Sequence, residues 1–305
     1  MRVLITGATG LVGSRLVKRL QERSDVPVAL SRHRNIALAT FGHGVEVVEG
    51  DPTVRGDWDQ AIAGCDAVVN LAGENIFARR WNDEFKDRVR DSRVQATENV
   101  VAAIARADHK PLVLVNASAI GYYGPRGDEE VTESTEAGSD FLATACVAWE
   151  AAALALAPTG VRTVIVRIGV VMSTEGGALA QMLTPFKLGV GGPVGNGRQW
   201  MAWIHIDDLV GLILFAIDNP ELYGVVNATA PEPVTNREFS KALGHALGRP
   251  AIFPVPVFML RLRFGQVAEV ISTGARVLPR RALDAGYQFR FNRIDDALPH
   301  LLRTA

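Results

Sequence analysis

The stretch TGATGLVG, residues 6–13, decides the fold because it joins a strand pattern to a helix pattern. The apolar run RVLIT (2–6) leads into it, and the amphipathic run LVGSRLVKRLQER (11–23) leads out of it. Three glycines recur at every third position, at Gly7, Gly10 and Gly13. This spacing permits a tight turn and lets the backbone approach a pyrophosphate. The phosphates would then meet the free N–H groups and positive dipole of the helix N-terminus.

A glycine triplet alone is weak evidence, and a purely structural glycine-rich turn is the alternative. The position of this triplet, between the first strand and an amphipathic helix, favours a phosphate-binding loop. We therefore predict that a nucleotide cofactor contacts Gly7, Thr9, Gly10, Leu11, Val12 and Gly13.

Short β-branched runs alternate with helical patterns through the first half of the chain. The strand-like runs are residues 2–6, 27–31, 45–50, 67–72, 112–118 and 162–169. Amphipathic stretches such as 11–23 and 88–107 lie between several of them. Strands made almost entirely of Val, Ile and Leu are typical of a parallel sheet with helices on both faces. The βαβα order predicts an α/β fold with a doubly wound sheet.

The pattern changes after residue 170. Residues 175–200 are rich in glycine and predict a helix followed by a loop, and residues 205–219 predict a helix that starts at an aspartate cap. We expect residues 1–170 to form the nucleotide-binding domain, with 205–228 returning to it. Residues 171–305 are expected to form a smaller lobe on the substrate side.

Composition limits the class of protein. Of the 305 residues, 48% are hydrophobic and 21% are charged, which indicates a globular chain. The net charge of -1 provides no overall field for nucleic acid or an anionic membrane, so we expect neither as a partner. The two cysteines, Cys65 and Cys146, have no metal-ligand spacing and suggest a reduced compartment. We find no signal-type segment and no apolar run of membrane-spanning length, and expect a cytoplasmic protein without a metal.

The end of the second strand predicts which dinucleotide is bound. An NAD-specific site usually has an acidic residue there, whereas this chain has Ser31 and Arg32. Arginine suits a 2′-phosphate and can stack on adenine, so we expect NADP; a solvated basic loop is the alternative. Asp51, after the third strand, is expected near the adenine amine. The backbone after the fourth strand is expected to pass the cofactor at Leu71, Ala72 and Gly73.

Five longer stretches carry a family resemblance that covers nearly the whole chain. They are NLAGENI (70–76), RRWNDEFKDRVRDSRVQATENV (79–100), SAIGYYG (118–124), FKLGVGGPVGNGRQWMAWIHIDDLV (186–210) and RVLPRRALDAGYQFRF (276–291). With the glycine loop, they resemble the extended short-chain dehydrogenase/reductase superfamily. The closer resemblance is to its atypical "epimerase family" branch, related to NAD-dependent epimerase/dehydratases. It implies a Rossmann-type fold, bound NADP(H) and a C-terminal lobe on the substrate side.

The resemblance also implies catalytic positions. Related enzymes use a Ser, a Tyr and a Lys, with an Asn on the helix after strand four. Transferred position by position, Ser118 matches the Ser, and Arg93 stands at the place of the Asn. With Glu150 as the anchor, Leu142 falls at the Tyr position and Cys146 at the Lys position. The usual proton relay is therefore absent, while cofactor binding is unaffected.

Three side chains are candidates for the missing proton donor. Tyr122 and Tyr123 follow strand five, and their alternative role is to line the loop. Cys146 is a candidate donor, or a thiolate if Arg93 lies near it; its alternative role is that of a small buried hydrophobe. Arg93 itself is expected to hold the cofactor phosphates or an acidic substrate, with a solvated helix face as the alternative.

The loop 191–200 has enough glycine for close approach of its backbone to a ligand, and Trp200 and Trp203 could supply a stacking wall. The same loop could instead be only a turn between lobes. His205 and Asp207 resemble a strand-to-helix junction that braces the substrate lobe.

Three functions fit these residues. The first is an NADP(H)-dependent oxidoreductase, or an epimerase that uses transient oxidation, with Ser118 and an atypical acid among Tyr122, Tyr123 and Cys146. The second is a non-catalytic NADP(H) sensor, which the missing Tyr and Lys favour. The third is a scaffold with a vestigial site, which the intact glycine loop and Arg32 disfavour. We predict the first.

Overall fold

The computed structural model describes residues 1–303, apart from the side chains of residues 43, 263 and 264. The last two residues of the predicted C-terminal lobe lie outside this range. The strands are β1 (Arg2–Thr6), β2 (Val26–Ser31), β3 (Glu46–Glu49), β4 (Ala67–Asn70), β5 (Val113–Ala119), β6 (Glu130–Val131), β7 (Arg162–Ile168), β8 (Val170–Met172), β9 (Trp200–Met201), β10 (Trp203–His205), β11 (Gly224–Ala228), β12 (Val234–Thr235) and β13 (Arg276–Val277). The α-helices are α1 (Leu11–Glu22), α2 (Arg34–Phe41), α3 (Asp83–Arg106), α4 (Phe141–Leu154), α5 (Gly177–Lys187), α6 (Ile206–Asp218), α7 (Asn236–Leu247), α8 (Val257–Phe264), α9 (Val267–Ser272), α10 (Arg280–Asp284) and α11 (Ile294–Arg303).

Seven strands form one parallel sheet in the order β11-β7-β5-β4-β1-β2-β3. The predicted α/β fold with a doubly wound sheet is confirmed. Strand order reverses between β1 and β4, where Thr6 pairs with Asn70 on one side and with Leu30 of β2 on the other. In such sheets, ligands bind outside the carboxyl ends of the strands at this reversal.

Both faces of the main sheet are buried. On β1, Val3 and Ile5 face the core that is covered by α1 and α6, whereas Leu4 faces the core that contains residues of α3. Successive side chains of a strand point to opposite faces, so a strand covered on both sides must be apolar at every position. This requirement explains the uninterrupted apolar run at residues 3–5.

Each of the six predicted strands is present. Two helices, α3 and α6, begin differently from the prediction. Helix α3 begins at Asp83, earlier than predicted, because the Asn82 side chain accepts the Phe85 N–H at 2.8 Å. The aspartate cap predicted for α6 is wrong, since the cap is His205, whose ring accepts the Asp207 N–H at 3.0 Å. The Asp207 carboxylate is instead bound to Arg15.

A smaller lobe follows the main sheet. Helices α5, α7 and α11 enclose a second core, which includes Trp203, Phe239 and Leu298. Helix α6 and strand β11 stay with the main sheet, because β11 pairs with β7 and Leu209 lies in the core of the sheet. The boundaries expected for the two domains stay a prediction.

Helix α4 and the turn after it, Phe141–Thr159, are apolar and long enough to cross a membrane by length and composition alone. The expectation that no apolar run reaches this length is therefore wrong. In the fold, α4 packs against β5 and α3, and it carries Glu150 in an ion pair with Arg167 of β7. These contacts make α4 a covering helix of the sheet.

Candidate functional site

The loop between β1 and α1 has a shape that only glycine permits. Gly7 has φ of +65°, and a Cβ there would lie 2.8 Å from the carbonyl oxygen of Leu71. A Cβ at Gly13 would lie 2.3 Å from the carbonyl oxygen of Gly7. No side chain caps α1, whose N-cap is Gly10, so the N–H groups of its first turn are available to an anion.

A buried polar network fixes the backbone opposite this loop. The Thr6 hydroxyl donates to Asn70 Oδ1 at 2.6 Å and accepts the N–H groups of residues 71 and 72 at 3.1 Å. Asn70 Nδ2 donates to the Thr97 hydroxyl at 2.9 Å. The strand end that is predicted to pass the cofactor is therefore held rigidly, with its polar groups satisfied.

The residues predicted to select the cofactor lie beside the glycine loop, at the end of β2. The Ser31 hydroxyl is bonded to the backbone of His33, which fixes the turn. Arg32 is exposed, and its guanidinium has no hydrogen-bond or ion-pair partner within the described side chains. Arg34, by contrast, donates to the Val47 carbonyl at 2.6 Å. Asp51 Oδ1 accepts the Thr53 N–H at 2.9 Å and hydroxyl at 2.7 Å, so part of its carboxylate serves a turn.

Arg93 does not lie on a solvated helix face. Its guanidinium donates to the carbonyls of Val89 at 2.8 Å and Glu74 at 2.9 Å, and lies 5.2 Å from the ring of Trp149. Burial lowers the pKa of Arg93. A Cβ at Gly73 would lie 3.1 Å from this side chain, so Arg93 and the predicted cofactor strand end are in contact. Its predicted role, to hold an anion, stays a prediction.

Ser118 has a different partner from the one that the family pattern implies. Its hydroxyl is buried and donates to Glu150 Oε1 at 2.6 Å. The same carboxylate accepts from Nε and Nη2 of Arg167, each at 2.8 Å. Because the Ser118 proton is already donated to Glu150, this geometry does not fit the predicted catalytic role. Ser118 instead holds the Glu150 carboxylate in place.

The two neighbouring tyrosines differ in burial, although both rings lie near the Arg167 guanidinium. Tyr123 is 0% exposed, and its hydroxyl donates to Asn227 Oδ1 at 2.6 Å and accepts from Arg167 Nη1 at 2.9 Å. Burial raises the pKa of Tyr123 to about 12. Tyr122 is only half-buried, and its ring lies against the Arg167 guanidinium, with 3.3 Å from Cζ to the ring centroid. The structure speaks against Tyr123 as the donor, and leaves Tyr122 as a candidate.

Cys146 has the surroundings of a buried thiol. Its Sγ lies 3.8 Å from the carbonyl oxygen of Ala119, and burial raises its pKa to about 11. Arg93 acts in the opposite direction, but its effect is smaller. The thiolate role is therefore disfavoured, and the alternative role of a small buried hydrophobe fits. Leu142, at the expected Tyr position, lies beside Gly121, where an added Cβ would be 3.3 Å from the Leu142 Cβ.

Residues 3–228 match the NAD dependent epimerase/dehydratase family, and residues 255–301 match a domain of unknown function, DUF1731. This chain belongs to the NAD dependent epimerase/dehydratase family. The Arabidopsis thaliana "Epimerase family protein SDR39U1 homolog, chloroplastic" is 41% identical over 99% of this chain and 87% of its own length. The Mus musculus epimerase family protein SDR39U1 is 40% identical over 98% of both chains. The crystal structure of the human epimerase family protein SDR39U1 (isoform 2) with NADPH has a TM-score of 0.89, with 38% identity and full coverage of both chains.

These relatives confirm the resemblance to the epimerase family branch. The buried pair of Glu150 and Arg167 is the part of this family member's site that the sequence pattern did not predict. A signal was present, because Glu150 is the only charged residue of α4 and Arg167 interrupts an apolar strand. Because a buried charge needs a partner of opposite charge, these two residues could have been predicted to pair.

The glycine-rich loop and the tryptophans also differ from expectation. Trp203 is buried, with its Nε1 donating to the Glu232 carbonyl at 3.1 Å, so its predicted stacking role is wrong. Trp200 is half-buried, and its Nε1 donates to Asp128 at 2.7 Å. A Cβ at Gly192 would lie 2.2 Å from the Phe253 carbonyl oxygen. The loop thus packs against a protein segment, which fits the alternative of a turn between lobes.

His205 and Asp207 join three parts of the chain. Asp207 Oδ1 accepts from Arg15 of α1 at 2.6 and 2.9 Å, while its Oδ2 lies 3.8 Å from Arg290. The His205 ring lies 3.2 Å from His300 of α11 and stacks on Phe291. These contacts agree with the predicted bracing role.

Proposed function

We propose that this family member is an NADP(H)-dependent oxidoreductase, or an epimerase that uses transient oxidation, acting on a small molecule. The observation that carries the proposal is the pairing of two features at one sheet edge. The first feature is the N-terminus of α1, which has no side-chain cap and follows the loop that requires glycine at positions 7 and 13. The second is Arg32, which is exposed and whose guanidinium has no partner among the described side chains. The first feature suits a pyrophosphate and the second suits a 2′-phosphate.

The residues present fit such a cofactor. A side chain at position 7 or 13 would clash with the backbone of Leu71 or Gly7, so the tight turn that presents the N-terminus of α1 requires glycine at both positions. We assign the pyrophosphate to the N–H groups of α1, the 2′-phosphate to Arg32, and the nicotinamide end to the backbone after Asn70, near Arg93. The human relative with 38% identity was crystallised with NADPH, which supports this assignment.

A nicotinamide cofactor supplies or accepts hydride when it is bound. The protein must then move a proton to or from the substrate oxygen. Three donors were predicted from the sequence. Among the described residues 1–303, the Tyr122 hydroxyl makes no hydrogen bond and is not fully buried, unlike the Tyr123 hydroxyl and the Cys146 thiol. We therefore assign proton transfer to the Tyr122 hydroxyl, at the carboxyl end of β5.

A non-catalytic NADP(H) sensor is the second candidate. The observation that favours it is that the positions of the missing Tyr and Lys hold Leu142, which lies beside Gly121, and Cys146, which is buried. A sensor would keep the phosphate loop and Arg32 but would need no proton donor.

The test is NADPH binding by calorimetry, followed by turnover of a panel of carbonyl compounds and nucleotide sugars monitored by nicotinamide absorbance. We expect NADPH binding, turnover of at least one class of compound, and loss of that turnover in Tyr122→Phe. Turnover that survives in Tyr122→Phe would refute the assigned donor. Absence of NADPH binding would refute the proposal, and binding without turnover would favour the sensor.

A further inference from the structure

We propose that Arg167 is a positioning residue for Tyr122, in place of the lysine that is missing at position 146. Its guanidinium fixes the ring and stabilises the phenolate that remains when Tyr122 donates its proton. This inference rests on the proposed function, since it concerns the donor assigned there. It moves the cation from helix α4, where related enzymes carry it, to strand β7.

The position of Arg167 is fixed by bonds on three of its donor groups. Nε and Nη2 donate to the two oxygens of Glu150, and Nη1 donates to the Tyr123 hydroxyl at 2.9 Å. Ser118 donates to the same carboxylate at 2.6 Å. The planar fork of arginine makes such a bidentate bond directional, so the guanidinium plane cannot rotate freely.

Arg167 is positively charged throughout the physiological range. Burial lowers its pKa, but the hydrogen bonds and charges of Glu150 and Tyr123 raise it more, and the net pKa is raised. The side chain is 3% exposed, so water screens its charge only weakly. A fixed, weakly screened cation is what a developing phenolate requires.

One face of this cation is covered by the Tyr122 ring. The distance of 3.3 Å from Cζ to the ring centroid is in the range of direct stacking, whereas the Tyr123 ring centroid lies at 4.9 Å. Tyr123 donates its own proton into the network, to Asn227. The Tyr122 hydroxyl, by contrast, has no hydrogen-bond partner among the described residues and is not fully buried, which leaves it available to a substrate.

The proton balance is simple. When a bound reduced nicotinamide supplies hydride to the carbonyl carbon of a substrate and is itself oxidised, the carbonyl oxygen would take the proton from Tyr122 Oη and become a hydroxyl. The phenolate stays beside Arg167, which keeps all its protons, and solvent then returns one proton to Oη. In the oxidative direction, the same steps run in reverse.

Nitration by tetranitromethane tests this inference without cofactor or substrate, because the reagent attacks the phenolate form of tyrosine. The chain has four tyrosines, which peptide mass spectrometry resolves. Tyr223 is 64% exposed and serves as the internal reference, and buried Tyr123 reports unfolding. The key variant combines Glu150→Gln with Arg167→Met, which removes both charges and leaves no unpaired buried ion.

We expect Tyr122 in the wild type to be nitrated at a rate comparable to Tyr223 despite its partial burial. In the double variant, the rate at Tyr122 relative to Tyr223 should fall about tenfold, a value between those of an exposed and a desolvated cation–π contact. A purely structural role predicts the opposite sign, since looser packing admits more reagent. An unchanged or faster rate at Tyr122, with Tyr123 still protected, would overturn the proposal.

If Tyr123 becomes reactive in the double variant, Arg167→Lys decides, because it keeps the charge at this position. Retention of at least about half of the wild-type rate at Tyr122 supports the proposal, and a loss comparable to that expected for the double variant, about tenfold, overturns it. Failure of the proposed function would appear separately, as absent NADPH binding or absent turnover, with the nitration pattern unaffected.

Discussion

Glu150 and Arg167 form a bidentate ion pair in the interior of the protein, with both N–O distances at 2.8 Å and side-chain exposures of 5% and 3%. The pair connects α4 to β7 across the face of the sheet that holds Ser118. A buried pair gives little net stability over apolar residues of similar size, because both ions lose hydration. Its persistence here is better explained by what it positions, the ring of Tyr122.

The first prediction concerns this pair. Glu150→Gln should lower the free energy of unfolding by about 3–5 kcal/mol, because it leaves the Arg167 charge buried without its counter-ion. Adding Arg167→Met should restore most of the loss. Urea unfolding of the two single variants and the double variant measures both effects. The matched surface control is Glu22→Gln, in an exposed pair with Arg19, for which we expect a change below about 1 kcal/mol. Equal losses for Glu150→Gln and Glu22→Gln would contradict this account.

The second prediction concerns cofactor choice. Arg32→Ala should weaken NADPH binding by about 1.5–3 kcal/mol, the scale of a hydrogen bond to a charged group, and leave NADH binding nearly unchanged. Calorimetric titration measures both. Arg34→Ala is the control, because Arg34 is also exposed and basic but its guanidinium is bound to the Val47 carbonyl. Equal affinities of the wild type for NADPH and NADH would show that Arg32 does not select the 2′-phosphate.

The fold was predictable because its signals are local. The apolar runs of the first half form strands, and the loop at 6–13 adopts a shape that requires its glycines. The cap of α6 was not predictable from the sequence. Aspartate is a good cap by propensity, but the Asp207 carboxylate accepts hydrogen bonds from Arg15, 192 residues earlier in the chain. Choices of this kind depend on tertiary contacts.

The candidate site was less predictable than the fold. The sequence identified Ser118, Tyr122, Tyr123 and Cys146 as candidate catalytic residues, but could not tell which hydroxyl was free. Adjacent residues of one turn can differ in burial, as Tyr122 and Tyr123 do, although their rings pack edge to face with centroids 5.3 Å apart. The partners that decide the outcome, Glu150 and Arg167, come from distant elements.

The third prediction concerns the glycine loop. Gly13→Ala should abolish measurable NADPH binding and lower stability by about 1–3 kcal/mol, although alanine favours helix by about 1 kcal/mol. The clash wins because the new Cβ would lie 2.3 Å from the Gly7 carbonyl oxygen and 2.7 Å from Ala8 Cα, both backbone atoms. Calorimetry and thermal unfolding measure the two effects. Gly44→Ala is the control, since among the described residues beyond its two chain neighbours its Cβ would meet the Gln21 side chain alone, at 3.4 Å. Normal NADPH binding by Gly13→Ala would contradict the assignment of the loop.

The fourth prediction concerns stability at acid pH. His205 is 1% exposed, and burial lowers its pKa from 6.5 to about 4, with the charges of His300, Arg290 and Arg15 acting in the same direction and Asp207 opposing them. The unfolded chain therefore takes up a proton on this ring near pH 6.5, whereas the folded chain resists until about pH 4. The neutral His205 ring therefore contributes its full share to the free energy of unfolding above pH 6.5. This contribution, about 3 kcal/mol in total, is lost as the pH falls towards 4.

The matched variant for this prediction is His205→Asn. Asparagine keeps a side-chain acceptor for the Asp207 N–H, which His205 Nδ1 accepts at 3.0 Å, and it cannot take up a proton. Urea unfolding at several pH values between 4 and 7 should give a clear fall for the wild type and a shallower one for the variant. The two curves should converge towards acid pH, because only the wild type loses the contribution of His205. Parallel curves across this range would show that another group controls the acid sensitivity. The residual slope of the variant reports the remaining titrating groups of the cluster, among them His300, whose pKa is also lowered by burial.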